Sequence, residues 1–255
     1  MKKKQVWYSD STWKIKLFHG VLTPFYYAFK VIFKRSLIMI VCPHADENKK
    51  AEINYRDTYD FVRLRTLGFL AEEAGKKLGD SEYAVAEVGV FRGGFASYIE
   101  RLFPGRQLYL FDTFGGFPAQ DKNLDIEMGL SKQAYENGDF DSTSVELVLG
   151  KMSNPDNCHI CKGYFPETVT EEHKSKKWGF VSLDVDLYKP MLDGLRFFYP
   201  ALLPGGAIMI HDYNNSAFSG VKKAVDEFEK EVGVLAKVPI PDSAGSLVIV
   251  KPEHA

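Results

Sequence analysis

The chain has 255 residues, of which 45% are hydrophobic and 26% are charged. These are ordinary values for a globular protein, and they exclude a disordered, collagen-like or coiled-coil chain. The net charge of -2 conceals an uneven distribution: residues 1–50 carry 10 Lys and Arg against 3 Asp and Glu, and residues 51–255 carry 22 against 31. A nucleic-acid-binding domain concentrates positive charge on its folded body, so this acidic body argues against nucleic acid as a partner.

The cysteine content and the N-terminal sequence predict a cytoplasmic protein. Cys42, Cys158 and Cys161 are too few for a disulfide framework, which favours a reducing compartment. No signal-peptide pattern is present. The longest early stretch without a charge, residues 17–29, is shorter than the about 20 apolar residues that a spanning helix needs.

Residues 1–50 form a basic arm rich in aromatic side chains, which we expect to be helical. Trp7, Trp13 and other aromatic residues are interleaved with Lys14 and Lys16. This composition is typical of an interfacial helix, so residues 1–45 are a candidate for peripheral membrane contact. The alternative is an arm that packs on the following domain or forms a homo-oligomer. Residues 51–255 are expected to form one domain.

After the arm, short apolar segments alternate with segments of helical periodicity. The first amphipathic helix is predicted over residues 58–77. Strands are predicted at residues 83–90, 107–113, 158–163, 179–186 and 207–213, and further helices near 95–103, 189–199 and 217–231. Strands that are apolar on both faces and separated by helices indicate a parallel sheet with helices on either side.

The C-terminal end and one long connection depart from this alternation. Residues 234–240 and 246–251 resemble strands with no helix between them, which predicts an antiparallel hairpin. A doubly wound, Rossmann-like α/β sheet that closes in such a hairpin is the layout of class I methyltransferases. The segment 113–143, after the second strand, has a net charge of -4. We interpret residues 114–143 as an acidic lid over a binding site.

Two motifs at strand ends indicate a nucleoside cofactor. In AEVGVFRGG, Glu87 ends a strand, and Gly89 and Gly93 let the backbone approach a ligand where the next helix begins. The spacing is not the GxGxxG of dinucleotide-binding domains, and the chain has no P-loop motif. In QLYLFDTFGGFP, Asp112 ends the second strand and is placed to accept hydrogen bonds from both ribose hydroxyls.

Two further motifs place acids at the ends of the next strands. In GFVSLDVDLY, Asp184 and Asp186 lie two residues apart and therefore point to one side. In AIMIHDYNN, His211 and Asp212 end the fifth strand. Burying unpaired carboxylates is costly, which favours a hard cation such as Mg²⁺ with Asp184, His211 and Asp212 as candidate ligands, although imidazole suits softer metals better. Alternatively, these acids cap helices or pair with Lys and Arg.

In their order and spacing, the four motifs resemble the macrocin O-methyltransferase family. The resemblance extends from Asp57 to Lys251 and is most specific in the FRGG, LYLFDTFGGFP, KGYFPETV and LDVDLY segments. It implies an enzyme that uses S-adenosylmethionine and Mg²⁺ to methylate a sugar hydroxyl. Family members often have two adjacent acids after the fifth strand, where this chain has His211 and Asp212.

The resemblance also implies roles for individual residues. The residues at the cofactor are Glu87, Gly89, Gly93 and Asp112, and the metal acids are Asp184 and Asp212. We expect Asp184 or Asp186 to act as the catalytic base toward a sugar hydroxyl of a glycoside, glycan or natural product. The alternatives are a catechol-like small-molecule O-methyltransferase and a non-catalytic protein that keeps the cofactor fold and uses its arm for assembly.

Two weaker signals leave alternatives open. The sequence CHIC at residues 158–161 has the CxxC spacing of redox and metal sites but lies on a predicted strand, which favours a structural role. Arg63 and Arg65, on the first predicted helix, are placed to reach a carboxylate of the cofactor or to remain on the surface.

Overall fold

The structure is a computed structural model that describes residues 25, 39–41, 52–54, 61–130 and 140–253. The chain divides into two compact units, residues 1–58 and 59–255. The predicted boundary at residues 50 and 51, and most of the predicted arm, lie outside the described residues, so membrane contact and oligomerisation through the arm stay predictions. No helix in the described part of the chain is long and apolar enough to cross a bilayer.

The first unit contains two short strands, β1 (Met39–Val41) and β2 (Glu52–Asn54). They pair in the antiparallel sense, with Ile40 opposite Ile53. Residues 39–41 belong to the arm that the sequence predicted to be helical, and for this part the prediction is wrong. Branched side chains at Ile40 and Val41 favour the extended backbone.

The second unit is built on a seven-stranded sheet. Its strands are β3 (Ala84–Val88), β4 (Leu108–Asp112), β5 (Cys158–Lys162), β6 (Trp178–Leu183), β7 (Leu202–Ile210), β8 (Lys237–Pro239) and β9 (Leu247–Val250). Their spatial order is β5-β4-β3-β6-β7-β9-β8. Strands β3 to β7 are parallel, whereas β9 is antiparallel to β7 and β8. The predicted doubly wound sheet with a terminal hairpin is confirmed.

Helices cover both faces of this sheet. They are α1 (Phe61–Leu78), α2 (Gly94–Leu102), α3 (Ala119–Glu127), α4 (Val145–Leu149), α5 (Glu171–Ser175), α6 (Tyr188–Ala201) and α7 (Ser219–Val232). One core cluster includes Leu195 of α6 and Phe228 of α7, and the other includes Leu67 of α1 and Ile99 of α2. All six residues of β6 are buried, as expected for a strand with helices on both sides.

Aromatic side chains hold α6 against β6. The rings of Trp178 and Phe198 meet edge to face with centroids 5.0 Å apart, and Phe111 meets Phe198 at 6.0 Å. All three side chains are fully buried. Each such burial stabilises the fold by about 1.5–3 kcal/mol, and each edge-to-face pair adds about 0.5–1.5 kcal/mol. This packing holds α6 on the sheet, and the loop that carries Asp184 and Asp186 connects β6 to α6.

The described part of the predicted acidic lid contains helix α3, and two of its acids are buried rather than exposed. Asp121 accepts a hydrogen bond from the Tyr164 hydroxyl at 2.9 Å. Asp125 accepts one from the Tyr188 backbone N–H at 3.2 Å, at the first residue of α6. These acids therefore tie α3 to the core, and the role of residues 114–143 as a lid stays a prediction.

The CxxC cysteines lie on opposite faces of β5. Cys161 is buried in the core cluster that contains α6 and α7, whereas Cys158 packs against the cluster that contains α1 and α2. Residues three apart in a strand point in opposite directions, so the two thiols cannot chelate one metal or form one disulfide. Burial raises the pKa of each thiol to about 11, which leaves both unreactive.

The buried Asp125 makes stability depend on pH. Burial raises its pKa to about 6, because the hydrogen bond from Tyr188 only partly offsets desolvation. Between the unfolded value of about 3.9 and this folded value, the folded state binds more protons than the unfolded state, so stability falls as pH rises. Asp125→Asn removes this pH dependence. The free energy of unfolding of the variant minus that of wild type should therefore rise between pH 4.5 and pH 7.5.

Urea denaturation at several pH values measures this difference. Asp156→Asn is the matched control, because Asp156 is exposed, and its difference from wild type should stay constant. Parallel pH profiles for Asp125→Asn and wild type would contradict the assignment.

Candidate active site

Strands β3 and β6 lie side by side, and the chain proceeds from them toward opposite edges of the sheet. Open α/β sheets bind ligands at such a switch point, beyond the carboxyl ends of the strands. The loops after β3 and β6 touch here, and the Asp184 N–H donates a hydrogen bond to the Val88 carbonyl at 2.9 Å. Gly89 has a φ of 85°, and a Cβ at this position would overlap the Asp184 carbonyl, so the contact requires glycine.

Gly93 closes the same turn immediately before α2. It has a φ of 70°, and a Cβ there would lie 2.9 Å from Cγ1 of Val148 on α4. Close packing therefore accounts for both predicted glycines, Gly89 against the β6 loop and Gly93 against α4. Their contact with a cofactor stays a prediction.

Asp112 organises the loops after β3 and β4. Its Oδ2 accepts hydrogen bonds from the N–H groups of Val90 at 2.7 Å and Phe91 at 2.8 Å, and its Oδ1 accepts one from Phe114 at 2.6 Å. A carboxylate has about four acceptor positions. Three of these positions on Asp112 are taken by the backbone, and its predicted contact with the ribose hydroxyls of a cofactor stays a prediction.

Glu87 is a carboxylic acid inside the protein, with 1% of its surface exposed. Its Oε2 atom is buried and has no hydrogen-bond partner among the described residues. Burial and, second, the charge of Asp184 raise the pKa of Glu87 well above its usual value. An unused buried acceptor beside the Gly89 turn is suited to a ligand that donates a hydrogen bond.

Four side chains from the ends of β6 and β7 converge beside this turn. Asp184, Asp186, His211 and Asp212 each offer a ligand atom, and these atoms lie within 4.8 Å of one another. Nδ1 of His211 lies 3.0 Å from Oδ1 of Asp184 and 2.6 Å from Oδ2 of Asp212. The structure therefore brings all the predicted metal and base residues together, while their roles stay predictions.

Arg63 of α1 brings a positive charge to this cluster, in addition to His211. Its Nη2 donates to Oδ2 of Asp184 at 2.9 Å, and the side chain is 4% exposed. The guanidinium also lies 3.9 Å from the centroid of the Phe95 ring. The two oxygens of Asp184 thus lie beside two basic side chains, Oδ2 beside Arg63 and Oδ1 beside His211.

Mutual charges shift the pKa values in the cluster. Burial raises the pKa of Asp184, but the positive charges of His211 and Arg63 outweigh burial and hold it below the usual range. Burial likewise opposes the charged His211, but the Asp184 carboxylate outweighs it and raises the pKa of His211 to about 10. Burial and the charges of Asp184 and Asp212 raise the pKa of Asp186 well above its usual value.

Backbone strain is concentrated in the same loops. Among the described residues, the non-glycine residues with positive φ are Phe91, Phe114, Phe140, Asp186 and Asp212, with values of 48–59°. Four of them follow the carboxyl ends of β3, β4, β6 and β7, and Phe140 contacts Phe91. A left-handed backbone costs about 1–3 kcal/mol at such residues and is concentrated at functional sites.

Comparison with known proteins identifies the family. A family model described as Macrocin-O-methyltransferase (TylF) matches residues 63–247, well over half of the chain. The chain belongs to this family. The resemblance carried by the four motifs is therefore confirmed, and the family consists of S-adenosylmethionine-dependent O-methyltransferases.

Two relatives align with this chain over 173 residues, or 63% of its length. Mycinamicin III 3''-O-methyltransferase of Micromonospora griseorubida is 29% identical over this stretch, which spans 66% of the relative. The second is 8-demethyl-8-(2,3-dimethoxy-alpha-L-rhamnosyl)-tetracenomycin-C 4'-O-methyltransferase of Streptomyces olivaceus, which is 25% identical over 63% of its length. The aligned stretch thus covers less than two thirds of each relative.

Two solved structures share the fold. The O-methyltransferase NovP superposes with a TM-score of 0.58 and 22% identity, over 75% of this chain and 80% of NovP. The calicheamicin methyltransferase CalS11 superposes with a TM-score of 0.55 and 20% identity, over 74% of this chain and 78% of CalS11. At these identities the likeness establishes the class I methyltransferase fold.

The residues of this family member fit S-adenosylmethionine and a divalent cation. Glu87 Oε2 and Arg63 Nε are buried polar atoms without hydrogen-bond partners in the described part of the chain, which suits a ligand with charged groups. Nδ1 of His211 is also buried and satisfies hydrogen-bond geometry with neither neighbouring carboxylate. Oxygen atoms of Asp184 and Asp212 lie on either side of it, a donor set that suits a divalent cation.

The sequence did not reveal that Arg63 pairs with Asp184. The sequence left open that the strand-end acids pair with Lys or Arg and that Arg63 reaches a cofactor carboxylate, but it did not connect Arg63 with Asp184. The two residues are 121 positions apart, and no local pattern connects them. Only the packing of α1 beside α2 shows the contact.

Gly89→Ala should disrupt the contact between the β3 and β6 loops. Gly105→Ala is a matched control, because Gly105 has a φ of 75° with nothing within 4 Å of its added Cβ. In Gly105→Ala the free energy of unfolding should fall by about 1 kcal/mol, because only backbone strain is added. In Gly89→Ala it should fall by about 2–4 kcal/mol, because the new Cβ also overlaps the Asp184 carbonyl. Urea denaturation measures both, and equal losses would show that the loops do not need this close approach.

Proposed function

We propose that this chain is an S-adenosylmethionine-dependent O-methyltransferase that acts on a sugar hydroxyl of a glycoside, glycan or natural product and uses Mg²⁺. The observation that carries the proposal is the convergence of Asp184, Asp186, His211 and Asp212 beside the glycine turn. Family membership supports the reaction, and one relative is named for a rhamnosyl-bearing compound, which supports a sugar acceptor.

The cofactor site divides into two ends. In the proposal, Asp112 accepts a hydrogen bond from one ribose hydroxyl, and Gly89 and Gly93 keep the turn close to the ligand. Glu87 faces the amino-acid end, where a buried acceptor is available. When bound, S-adenosylmethionine supplies an activated methyl group on a sulfonium. The protein's task is then to orient the acceptor oxygen and remove its proton.

In the proposal, Asp186 is the base rather than Asp184, the other residue that the sequence offered. The two oxygens of Asp184 contact Arg63 and His211, which occupies them and disfavours proton transfer. Among the described residues no Lys or Arg forms an ion pair with Asp186, and its carboxyl lies against that of Asp212. Its left-handed backbone, with φ of 59°, turns the loop after β6 at this point. Asp186 therefore takes the proton from the acceptor hydroxyl in our proposal.

Asp184, Asp212 and His211 would hold the cation. When bound, Mg²⁺ would supply positive charge that allows neighbouring carboxylates to ionise together and lowers the pKa of a coordinated hydroxyl. Without the bound cation, Arg63 and a protonated His211 meet part of this need, because each places a positive charge against Asp184. His211 would release its proton when it becomes a metal ligand. The residues thus provide a site for the cation and a base beside it.

The cation is tested with Asp184→Asn and Asp212→Asn. Each should weaken binding of Mg²⁺ about 10-fold or more by calorimetry, because each removes a charged ligand. Methyl transfer from S-adenosylmethionine to a panel of rhamnosides should stop with EDTA and return with Mg²⁺. Asp156→Asn, at an exposed position, is the control. Full kcat of both site variants in EDTA would eliminate the metal mechanism.

The base is tested with Asp186→Asn. Asparagine tolerates the left-handed backbone, so the fold should be kept. We expect kcat to fall about 100- to 10,000-fold while the affinity for S-adenosylhomocysteine is unchanged. A kcat within a few-fold of wild type would assign the base elsewhere.

The same assays separate the two alternative functions. A catechol-like enzyme would methylate catechols in place of the rhamnosides. A non-catalytic protein with the cofactor fold would bind S-adenosylhomocysteine but would methylate neither catechols nor rhamnosides. Absence of binding by the wild-type protein would contradict the proposed function as a whole.

A further inference from the structure

Arg63 is a buried cation with a donor that the described residues do not use. It lies on α1, is 4% exposed, and gives Nη2 to Asp184 at 2.9 Å. Its Nε is also buried but has no hydrogen-bond partner. Guanidinium groups present several donors in one plane and favour carboxylates as partners. The ion pair with Asp184 therefore leaves a second binding direction open.

The position of this open donor is defined by its neighbours. The guanidinium lies 3.9 Å from the centroid of Phe95, which is in the first turn of α2 directly after the glycine turn. Glu87 precedes Val88 in β3, and the Val88 carbonyl accepts a hydrogen bond from the N–H of Asp184, the residue that Arg63 holds. Arg63 Nε and Glu87 Oε2 are thus an unmatched donor and an unmatched acceptor in one buried region.

An unmatched buried donor and acceptor predict the chemistry of the missing ligand. A free amino-acid group carries a carboxylate, which accepts, and an ammonium, which donates, on one carbon atom. S-adenosylmethionine ends in such a group, so this inference rests on the proposed function. Burial strengthens both contacts, since little water competes for the charges.

We propose that Arg63 Nε binds the α-carboxylate of S-adenosylmethionine while Nη2 of the same guanidinium holds Asp184. Glu87 completes the subsite as the acceptor for the α-ammonium. One rigid group thereby connects the amino-acid end of the cofactor to the carboxylate cluster at the end of β6. Arg63 is a binding residue for the cofactor and a positioning residue for Asp184.

Ligand dissection tests the proposal. S-adenosylhomocysteine carries the amino-acid end, whereas 5'-methylthioadenosine is a related thioether without it. Arg63→Met keeps an unbranched apolar stem over Phe95 and removes the donors. It should weaken S-adenosylhomocysteine about 10- to 100-fold by calorimetry, as expected for a charged hydrogen bond, and leave 5'-methylthioadenosine unchanged. A merely structural role would not distinguish the two ligands.

Arg101→Met is the matched control. Arg101 is exposed on α2, with its guanidinium 4.5 Å from the centroid of the Tyr98 ring. Its variant should bind both ligands like wild type. Arg63→Lys keeps the charge without the planar fork and should lose affinity for S-adenosylhomocysteine alone, by a smaller factor than Arg63→Met.

The outcomes separate the inference from the proposed function. Unchanged affinity of Arg63→Met for S-adenosylhomocysteine, or equal losses for both ligands, overturns the role of Arg63 while wild-type binding still supports the enzyme. If Arg63→Met does not melt cooperatively, Arg63→Lys is decisive, and its unchanged affinity for S-adenosylhomocysteine overturns the role. A wild-type protein that binds neither ligand contradicts the proposed function instead.

Discussion

Repulsion among carboxylates is the constraint on which the site depends. Glu87, Asp112, Asp184, Asp186 and Asp212 all lie at the carboxyl edge of one parallel sheet, because each ends or follows a strand. Such a concentration of buried acid is unstable unless each charge is matched or neutralised. The loops after these strands match or neutralise each carboxylate in a different way.

The compensation differs along the edge. Asp112 is held by three backbone N–H groups, which uses the chain itself as the partner. Asp184 lies between two cationic side chains, Arg63 and His211. No described cation forms an ion pair with Glu87, and burial favours its neutral form. The result is that backbone N–H groups match the charge of Asp112 after β4, whereas charged side chains match the acids after β6 and β7.

His211 sets the electrostatic character of the cluster. Its imidazole lies between Asp184 and Asp212, and the Asp184 carboxylate raises the pKa of His211 to about 10. Together with Arg63 it brings positive charge into the cluster from the protein. The arrangement is accompanied by backbone strain in the loops, because Asp186 and Asp212 both have a left-handed backbone.

The sequence by itself determined the sheet, the hairpin and the family, because these depend on local patterns: apolar runs, glycine turns and acids at strand ends. It also placed Asp184, Asp186, His211 and Asp212 in one region, since parallel strands bring their carboxyl ends to one edge. Only the tertiary structure decided which charges are partners. The pairing of Arg63 with Asp184, the burial of Asp121 and Asp125, and the opposite faces of the CHIC cysteines depend on packing between segments distant in sequence. Such contacts depend on how the helices pack on the sheet, and the periodicity of the sequence does not predict them.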